Sequence, residues 1–323
     1  MAARRPKVLV VGDVIDDIVV RPDGALQADT DTPSRIDPRP GGSAANTACW
    51  LAAAGVPTTF VGTVHHLDVA RHAAVFAAAG VDARLTGSDL PTGTIVVLVQ
   101  GQHRSMLTSR GANAATHPGQ ITDDLLAGAT HLHLTGYSLF DARSAGDDAA
   151  WSALSTRAHG LGLTRSLDPS SRSFLATHGV ERLLRTVAGI EVLLPSADEA
   201  ALLGGGSGDG GGDGGDDDDD EDDDDDDDED DDGGPELAAT RLARDHDVVA
   251  VKLGDRGAVV AANGALHRRT VSPGPVVDPT GAGDAFDAGF LAAWLAGSDP
   301  VDAVDAGNAL ARRAIGIIGA RPA

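Results

Sequence analysis

Short apolar runs alternate with longer Ala- and Leu-rich stretches along most of this chain. Val8 to Val11 is the first such run and predicts a strand. Thr59-Phe60-Val61-Gly62, Thr130 to Leu134, Leu163 to Leu167, Ile190 to Leu194 and Val248 to Val251 read in the same way. Asn46 to Ala54 predicts a helix closed by Gly55-Val56-Pro57, because Gly accepts the terminating conformation and Pro cannot continue the helix. Val69 to Ala79 predicts a second helix ending at Gly80, and further helical stretches cover 147–159, 236–245 and 285–296. Strands separated by helices predict an α/β fold, with a mainly parallel sheet covered by helices on both faces.

Two segments break that rhythm. Residues 14–40 carry Val, Ile and Thr among Asp and Pro. Residues 93–111 hold Gly93 to Val99, a polar stretch, and then Ser105-Met106-Leu107-Thr108, which predicts a hairpin. Together they predict a small β-sheet outside the main layer, placed to act as a lid that keeps water from competing as a nucleophile.

A chain of 323 residues with 42% hydrophobic content can bury a large core, as one large domain or two smaller ones. No run approaches the roughly 20 apolar residues of a membrane span, and the basic start Met1 to Lys7 leads straight into a strand rather than a signal peptide. The one cysteine, Cys49, points to a buried thiol in a reducing cytoplasm. Of the formal charge of −24, 17 charges lie in residues 216–232, a tract of 15 Asp and 2 Glu, which leaves −7 for the remainder. With its flanking glycines, the stretch 204–235 predicts a disordered acidic surface insertion, since it has no apolar surface to offset its ordering entropy. Such a tract also argues against nucleic acid as a partner.

The strongest chemical signal is Asp278-Pro279-Thr280-Gly281-Ala282-Gly283-Asp284, which runs directly into an amphipathic segment. Gly281, Ala282 and Gly283 let successive backbone N–H groups crowd against an anion at the positive end of the following helix. Asp284 would then lie beside that anion. This arrangement makes sense if the carboxylate takes a proton from a nucleophile attacking the anion, as in phosphoryl transfer. As an isolated motif it also reads as a tight turn with a helix cap.

This motif, together with the upstream Gly41-Gly42-Ser43-Ala44-Ala45-Asn46, resembles the ribokinase-like, or PfkB-type, carbohydrate kinase family. Gly12-Asp13 with Asp17, Gly111-Ala112-Asn113, Asp168-Pro169, Glu199, Gly254 with Gly257, and Gly319-Ala320-Arg321-Pro322 fall where that family has related signatures. The resemblance implies a Rossmann-like domain with a β lid, using ATP and Mg2+ to phosphorylate an alcohol of a sugar or nucleoside. Position by position, it implies that Asp284 is the general base and that Gly281, Ala282 and Gly283 form the anion hole. Asp17, Gly41, Gly42 and Asn46 take the substrate-binding positions. Lys252, Gly254, Gly257 and Asn308 lie on the nucleotide side. Glu199 would organise Mg2+ through water, and Asp278 with Thr280 would form a monovalent-cation site, with K+ the candidate. Lid strands in this family sometimes pair between subunits, which implies a homodimer as one assembly.

Two features depart from the family pattern. Ser196-Ala197-Asp198-Glu199 keeps the Glu of an Asn-x-x-Glu pair but replaces the Asn with Ser196. That change supports an alternative of another class, a sugar-binding regulatory protein with a degraded metal site. Val64-His65-His66-Leu67-Asp68 replaces a Gly- and Asp-rich turn. Lysines are confined to Lys7 and Lys252, which favours a neutral sugar, ribose or fructose, over a phosphosugar. A nucleoside is the alternative acceptor, with Tyr137, Phe140 and Trp151 as stacking candidates.

Overall fold

The computed structural model describes residues 5–100, 103–140, 145–205, 234–272 and 274–322; most of the acidic insertion lies outside these. The first half runs β1 (Val8–Val11), β2 (Ile15–Pro22), β3 (Ser34–Gly41), α1 (Ser43–Ala53), β4 (Thr58–His65), α2 (Val69–Ala78), β5 (Asp82–Ser88), β6 (Gly93–Gln100) and β7 (His103–Ser109). There follow α3 (Asp123–Ala127), β8 (His131–Thr135), α4 (Gly136–Phe140), α5 (Ala145–Gly160), β9 (Thr164–Asp168), α6 (Arg172–His178), α7 (Val180–Thr186) and β10 (Val192–Leu193). The chain ends with α8 (Ala197–Leu203), α9 (Pro235–Leu242), β11 (Val248–Lys252), β12 (Ala258–Ala262), β13 (Ala265–Arg269), α10 (Ala282–Leu295) and α11 (Pro300–Ile315).

Nine strands form one sheet in the order β13-β12-β11-β10-β9-β8-β1-β4-β5, and four form a second in the order β3-β2-β6-β7. From β11 to β5 every neighbour is parallel; β12 and β13 add an antiparallel edge. Strand β1 is buried at all four positions. Alternation along it divides the core: Leu9 and Val11 join Trp151, Leu132 and Leu167 on one face, while Val8 and Val10 join Trp50, Phe60 and Phe290 on the other. Such two-sided burial explains why the strand reads as an unbroken apolar run.

The chain moves from β1 to β4 and β5 on one side, then returns to β8 on the other. This reversal beside β1 opens a crevice at the carboxyl ends of the strands, where doubly wound sheets bind ligands. The second sheet is built from the two segments that broke the helix and strand rhythm, and it joins the first at this edge. Gly12 to Val14 connect β1 to β2, and Gly42 connects β3 to α1. Asn113 holds the first junction, accepting from the Val14 N–H at 2.8 Å and donating to the Val14 carbonyl at 2.9 Å.

Several elements differ from the expected pattern. The hairpin β12–β13 had no counterpart in the sequence reading. Its strands are short, with Val259 and Val260 the only β-branched residues, although the Asn263-Gly264 turn, with φ of 53° and 75°, is of the kind that closes a two-residue hairpin. Helix α10 starts at Ala282, three residues before the predicted segment, so Gly283 and Asp284 belong to its first turn. At the insertion, the Gly204 carbonyl after α8 accepts from Arg241 of α9 at 3.2 Å, so the two helices meet independently of the residues between them.

Candidate active site

The crevice has three walls. One is the N-terminus of α1, where Asp13, buried after β1, accepts from the backbone N–H groups of Ser43 and Ala44 at 3.2 and 3.1 Å. A carboxylate capping a helix N-terminus is matched by the helix dipole, and here it fixes where Ser43 and Asn46 point.

The second wall is the loop entering α10. The Asp278 carboxylate accepts from the Thr280 hydroxyl at 2.6 Å, the Thr280 N–H at 3.1 Å and the Gly319 N–H at 3.1 Å, which ties the loop to the C-terminal segment. Gly281 has φ of 78°, and a Cβ there would fall 2.6 Å from the Ala320 carbonyl oxygen. Only glycine fits that approach. The Ala320 carbonyl is itself held by the Trp50 indole N–H at 2.9 Å. Because α10 begins at Ala282, the amides of Gly283 and Asp284 are among those no helical carbonyl can reach, so this turn can present them to an anion.

Asp284 lies where these walls meet. One carboxylate oxygen accepts from the Ser43 hydroxyl at 2.7 Å and the other from the Asn46 amide at 2.8 Å. The group is half-buried yet closely surrounded by protein, and desolvation pushes its pKa up to about 7, against the lowering effect of those two bonds. A carboxylate in this state is poised to exchange a proton near neutrality.

The third wall comes from the small sheet. A Cβ on Gly41 would fall 2.2 Å from the Asp17 carboxylate, so the glycine makes room for the acid. Burial pushes Asp17 up to about 6; Arg321 opposes the shift, and Asp13, Asp16 and Asp278 add to it. The sequence reading assigned no acceptor-side role to Arg321, although it lies in the quoted Gly319 to Pro322 segment. The guanidinium donates to Asn46 Oδ1 at 2.9 Å and to the Gly41 carbonyl at 2.6 Å, joining the acid wall to the base wall. The spacing between Asn46 and Arg321 gave no signal of this contact.

The residues that the sequence places on a nucleotide side by resemblance divide. Lys252, at the end of β11, turns inward: its ammonium lies 3.1 Å from both Asp168 and Asp287, close beneath Gly283. Gly254 and Gly257 follow it at the same sheet edge, Gly257 with φ of 89° in the turn into β12. Asn308 on α11 has a buried Nδ2 with no acceptor among the described residues, a donor that a bound group can satisfy. Ser196 and Glu199 form a reciprocal cap on α8: Glu199 Oε2 accepts from the Ser196 N–H at 2.8 Å and Ser196 Oγ from the Glu199 N–H at 3.3 Å. Burial and the nearby Asp168 raise the Glu199 pKa. Among the described residues no group of three or more His, Cys, Asp or Glu is arranged to hold a metal ion. These donors fit a cation held through water rather than by direct ligation.

Residues 5–323 match the model of the pfkB family carbohydrate kinases. The chain belongs to that family. An ATP-dependent ribose-1-phosphate kinase from Halopiger xanaduensis is 30% identical, with 98% of this chain and 94% of that protein covered. An adenosine kinase from Sinorhizobium meliloti superposes with a TM-score of 0.79 at 25% identity, covering 99% and 96% of the two chains. The ribokinase of Arabidopsis thaliana, solved with ribose and ATP, superposes at 0.73 over 98% and 95% of the chains, and at 23% identity it shows the shared fold. As a pfkB carbohydrate kinase, the protein is an ATP-dependent sugar-phosphorylating enzyme with the ribokinase-like α/β fold. Membership also answers the regulatory alternative, whose support was Ser196: that serine caps α8.

Proposed function

We propose that this kinase transfers the γ-phosphoryl group of ATP to a hydroxyl of a ribose-type sugar, with fructose as the hexose alternative. The observation that carries the reading is Asp284, held by two neutral donors at the head of the α10 loop. In this mechanism the acceptor lies between Asp17 and Asp284, with Gly41 and Gly42 allowing it close to the backbone. Asp284 takes the proton of the attacking hydroxyl, and the Gly281 to Asp284 amides receive the charge developing on the transferred group. The small sheet, as a lid, excludes water from the acceptor. Asn308 and the Gly254 to Gly257 turn receive the nucleotide. Mg2+, held through water by Glu199, would neutralise phosphate charge when bound. K+ at Asp278 and Thr280 is the remaining cofactor proposal; the Asp278 carboxylate is already occupied by its own loop, which supports activity without it. The buried, unpaired Cys49 supports a reducing compartment, the cytoplasm.

The ribosyl group common to the named ribose-1-phosphate and adenosine kinases supports the ribose-type acceptor. A nucleoside is the second reading, supported by Tyr137 packed edge-on against Phe174 at 5.0 Å, with the Arg110 guanidinium 5.0 Å from the Tyr137 ring and 3.7 Å from Asp13. Trp151 is buried in the core and does not serve as a stacking residue. A homodimer through the small sheet is supported by exposed Ile36, Met106 and Leu107, at 58%, 59% and 65%. ADP release measured with ribose, fructose, ribose 1-phosphate and nucleosides, with and without K+, tests the acceptor. Highest kcat/KM on a neutral ribose-type sugar is expected; turnover confined to the phosphosugar or the nucleosides would reassign it.

A further inference from the structure

We propose that Arg321 is a positioning residue for phosphoryl transfer, acting through the Asn46 amide to hold Asp284 in place. The inference rests on Asp284 being the base. A guanidinium can only donate and an ionised carboxylate can only accept, so an amide placed between them has one productive orientation. Arg321 Nε donates to Asn46 Oδ1 at 2.9 Å, which turns the Asn46 NH2 toward Asp284 at 2.8 Å. Without the guanidinium the amide is free to flip and set its carbonyl against the carboxylate.

Arg321 is suited to this task by how firmly it is held. A second nitrogen donates to the Gly41 carbonyl at 2.6 Å, and the group packs 5.3 Å from the Phe76 ring centroid. Its two chain neighbours on the N-terminal side complete the frame. Ala320 abuts Gly281 and accepts from Trp50, and Gly319 donates to Asp278. One short segment therefore fixes the anion loop, the base and the acceptor wall together. The remaining guanidinium nitrogen, Nη1, is buried with no hydrogen-bond acceptor among the described residues. The charges facing this relay are Asp13, Asp17 and Asp284, with Cys49, around Arg321, and Asp168 and Lys252 beside Asp284; His72 senses the Arg321 charge from α2.

The test is the pH profile of kcat/KM for Arg321→Met, Arg321→Lys, Asn46→Ala and the Arg321→Met/Asn46→Ala double variant, with melting temperatures and KM for ATP measured in parallel. The expected result for Arg321→Met is an acid limb displaced to higher pH, kcat lowered about tenfold at pH 7 and KM for ATP unchanged. Arg321→Lys keeps the charge and lies between it and the parent protein. The double variant falls within about twofold of Asn46→Ala, because the two residues act in series. An unmoved limb in the Arg321 variants, or losses that multiply in the double variant, overturns the relay. If Arg321→Met does not fold, Arg321→Lys and its pairing with Asn46→Ala decide by the same criteria. Asp284→Asn separates the two readings: substantial turnover in that variant overturns the base itself, whereas its inactivity alongside multiplying losses overturns only the relay.

Discussion

The pH dependence of turnover follows from the surroundings of one carboxyl group. As the proposed base, Asp284 must be ionised to take a proton, and its pKa lies at about 7, so kcat/KM is expected to rise with pH through that value. For a single titrating group the ionised fraction is about 0.1 one unit below the pKa and about 0.9 one unit above, which gives a rise of nearly tenfold from pH 6 to pH 8. Two hydrogen bonds hold the ionised form against desolvation, from Ser43 and Asn46. A hydrogen bond to a charged group contributes about 1.5–3 kcal/mol. Removing the amide in Asn46→Ala therefore lowers the ionised population at a fixed acid pH by about tenfold or more. The expected result is kcat/KM depressed about tenfold near neutrality and recovering at alkaline pH, where the base ionises without help. ADP release under subsaturating acceptor from pH 5.5 to 9.5 reads this directly, with ATP and Mg2+ saturating so that nucleotide titration stays out of the profile. A flat profile between pH 6 and 8, or an Asn46→Ala profile lowered uniformly with its limb unmoved, refutes the reasoning.

Asp284→Asn should lose about 100-fold or more in kcat while gaining stability at alkaline pH. The folded pKa exceeds the unfolded value of 3.8, so the parent protein loses stability as pH rises from about 4 through about 7, and the variant does not. The stability gap, read by chemical denaturation, should be small near pH 4 and grow toward pH 8, by on the order of 1–2 kcal/mol once partial solvent screening is allowed for. Gly281→Ala forces a Cβ to 2.6 Å from the Ala320 carbonyl oxygen at a φ of 78°; kcat should fall about 100-fold with circular dichroism unchanged. Lys252→Met strands Asp168 and Asp287 without their cation, and chemical denaturation should show a loss of about 3–5 kcal/mol, smaller at pH 5 where carboxyls protonate more readily. Replacing residues 206–233 by a short linker should leave kcat/KM and melting temperature unchanged, because α8 and α9 already meet through Gly204 and Arg241.

The parts legible in the sequence are those where local chemistry restricts the residue. Val8 to Val11 announced a strand covered on both faces, and the Gly281 to Asp284 run announced a tight turn into a helix. The Asn263-Gly264 turn carried its own signal, but the short strands on either side of it, rich in Ala and Arg, gave no alternation to mark them. The cap at Ser196 and Glu199 was visible as a Ser-x-x-Glu pattern, but the expectation of a metal partner drew the serine to another role. Contacts across long separations had no such signature. The bond from Arg321 to Asn46 joins positions 275 residues apart, and Lys252 lies between two carboxylates 84 residues before it and 35 after it. Periodicity cannot report a partner that only the closed fold brings near.

Those long-range partners explain how a crevice with so many carboxylates is tolerated. Asp13 is met by the amides at the start of α1, and Asp168 and Asp287 share the Lys252 ammonium. Asp278 is filled by three donors from its own loop and the C-terminal segment. Asp287 keeps a raised pKa even so, and Asp17 and Asp284 are raised as well, to about 6 and about 7. Under-compensated carboxylates destabilise a fold unless a ligand supplies what is missing. In the proposed mechanism a polyol does so with hydroxyl donors alone, one donating to Asp17 while another gives its proton to Asp284. Binding and proton removal thus draw on the same electrostatic deficit. A substitution that relieves it at either position should stabilise the free protein and weaken catalysis together.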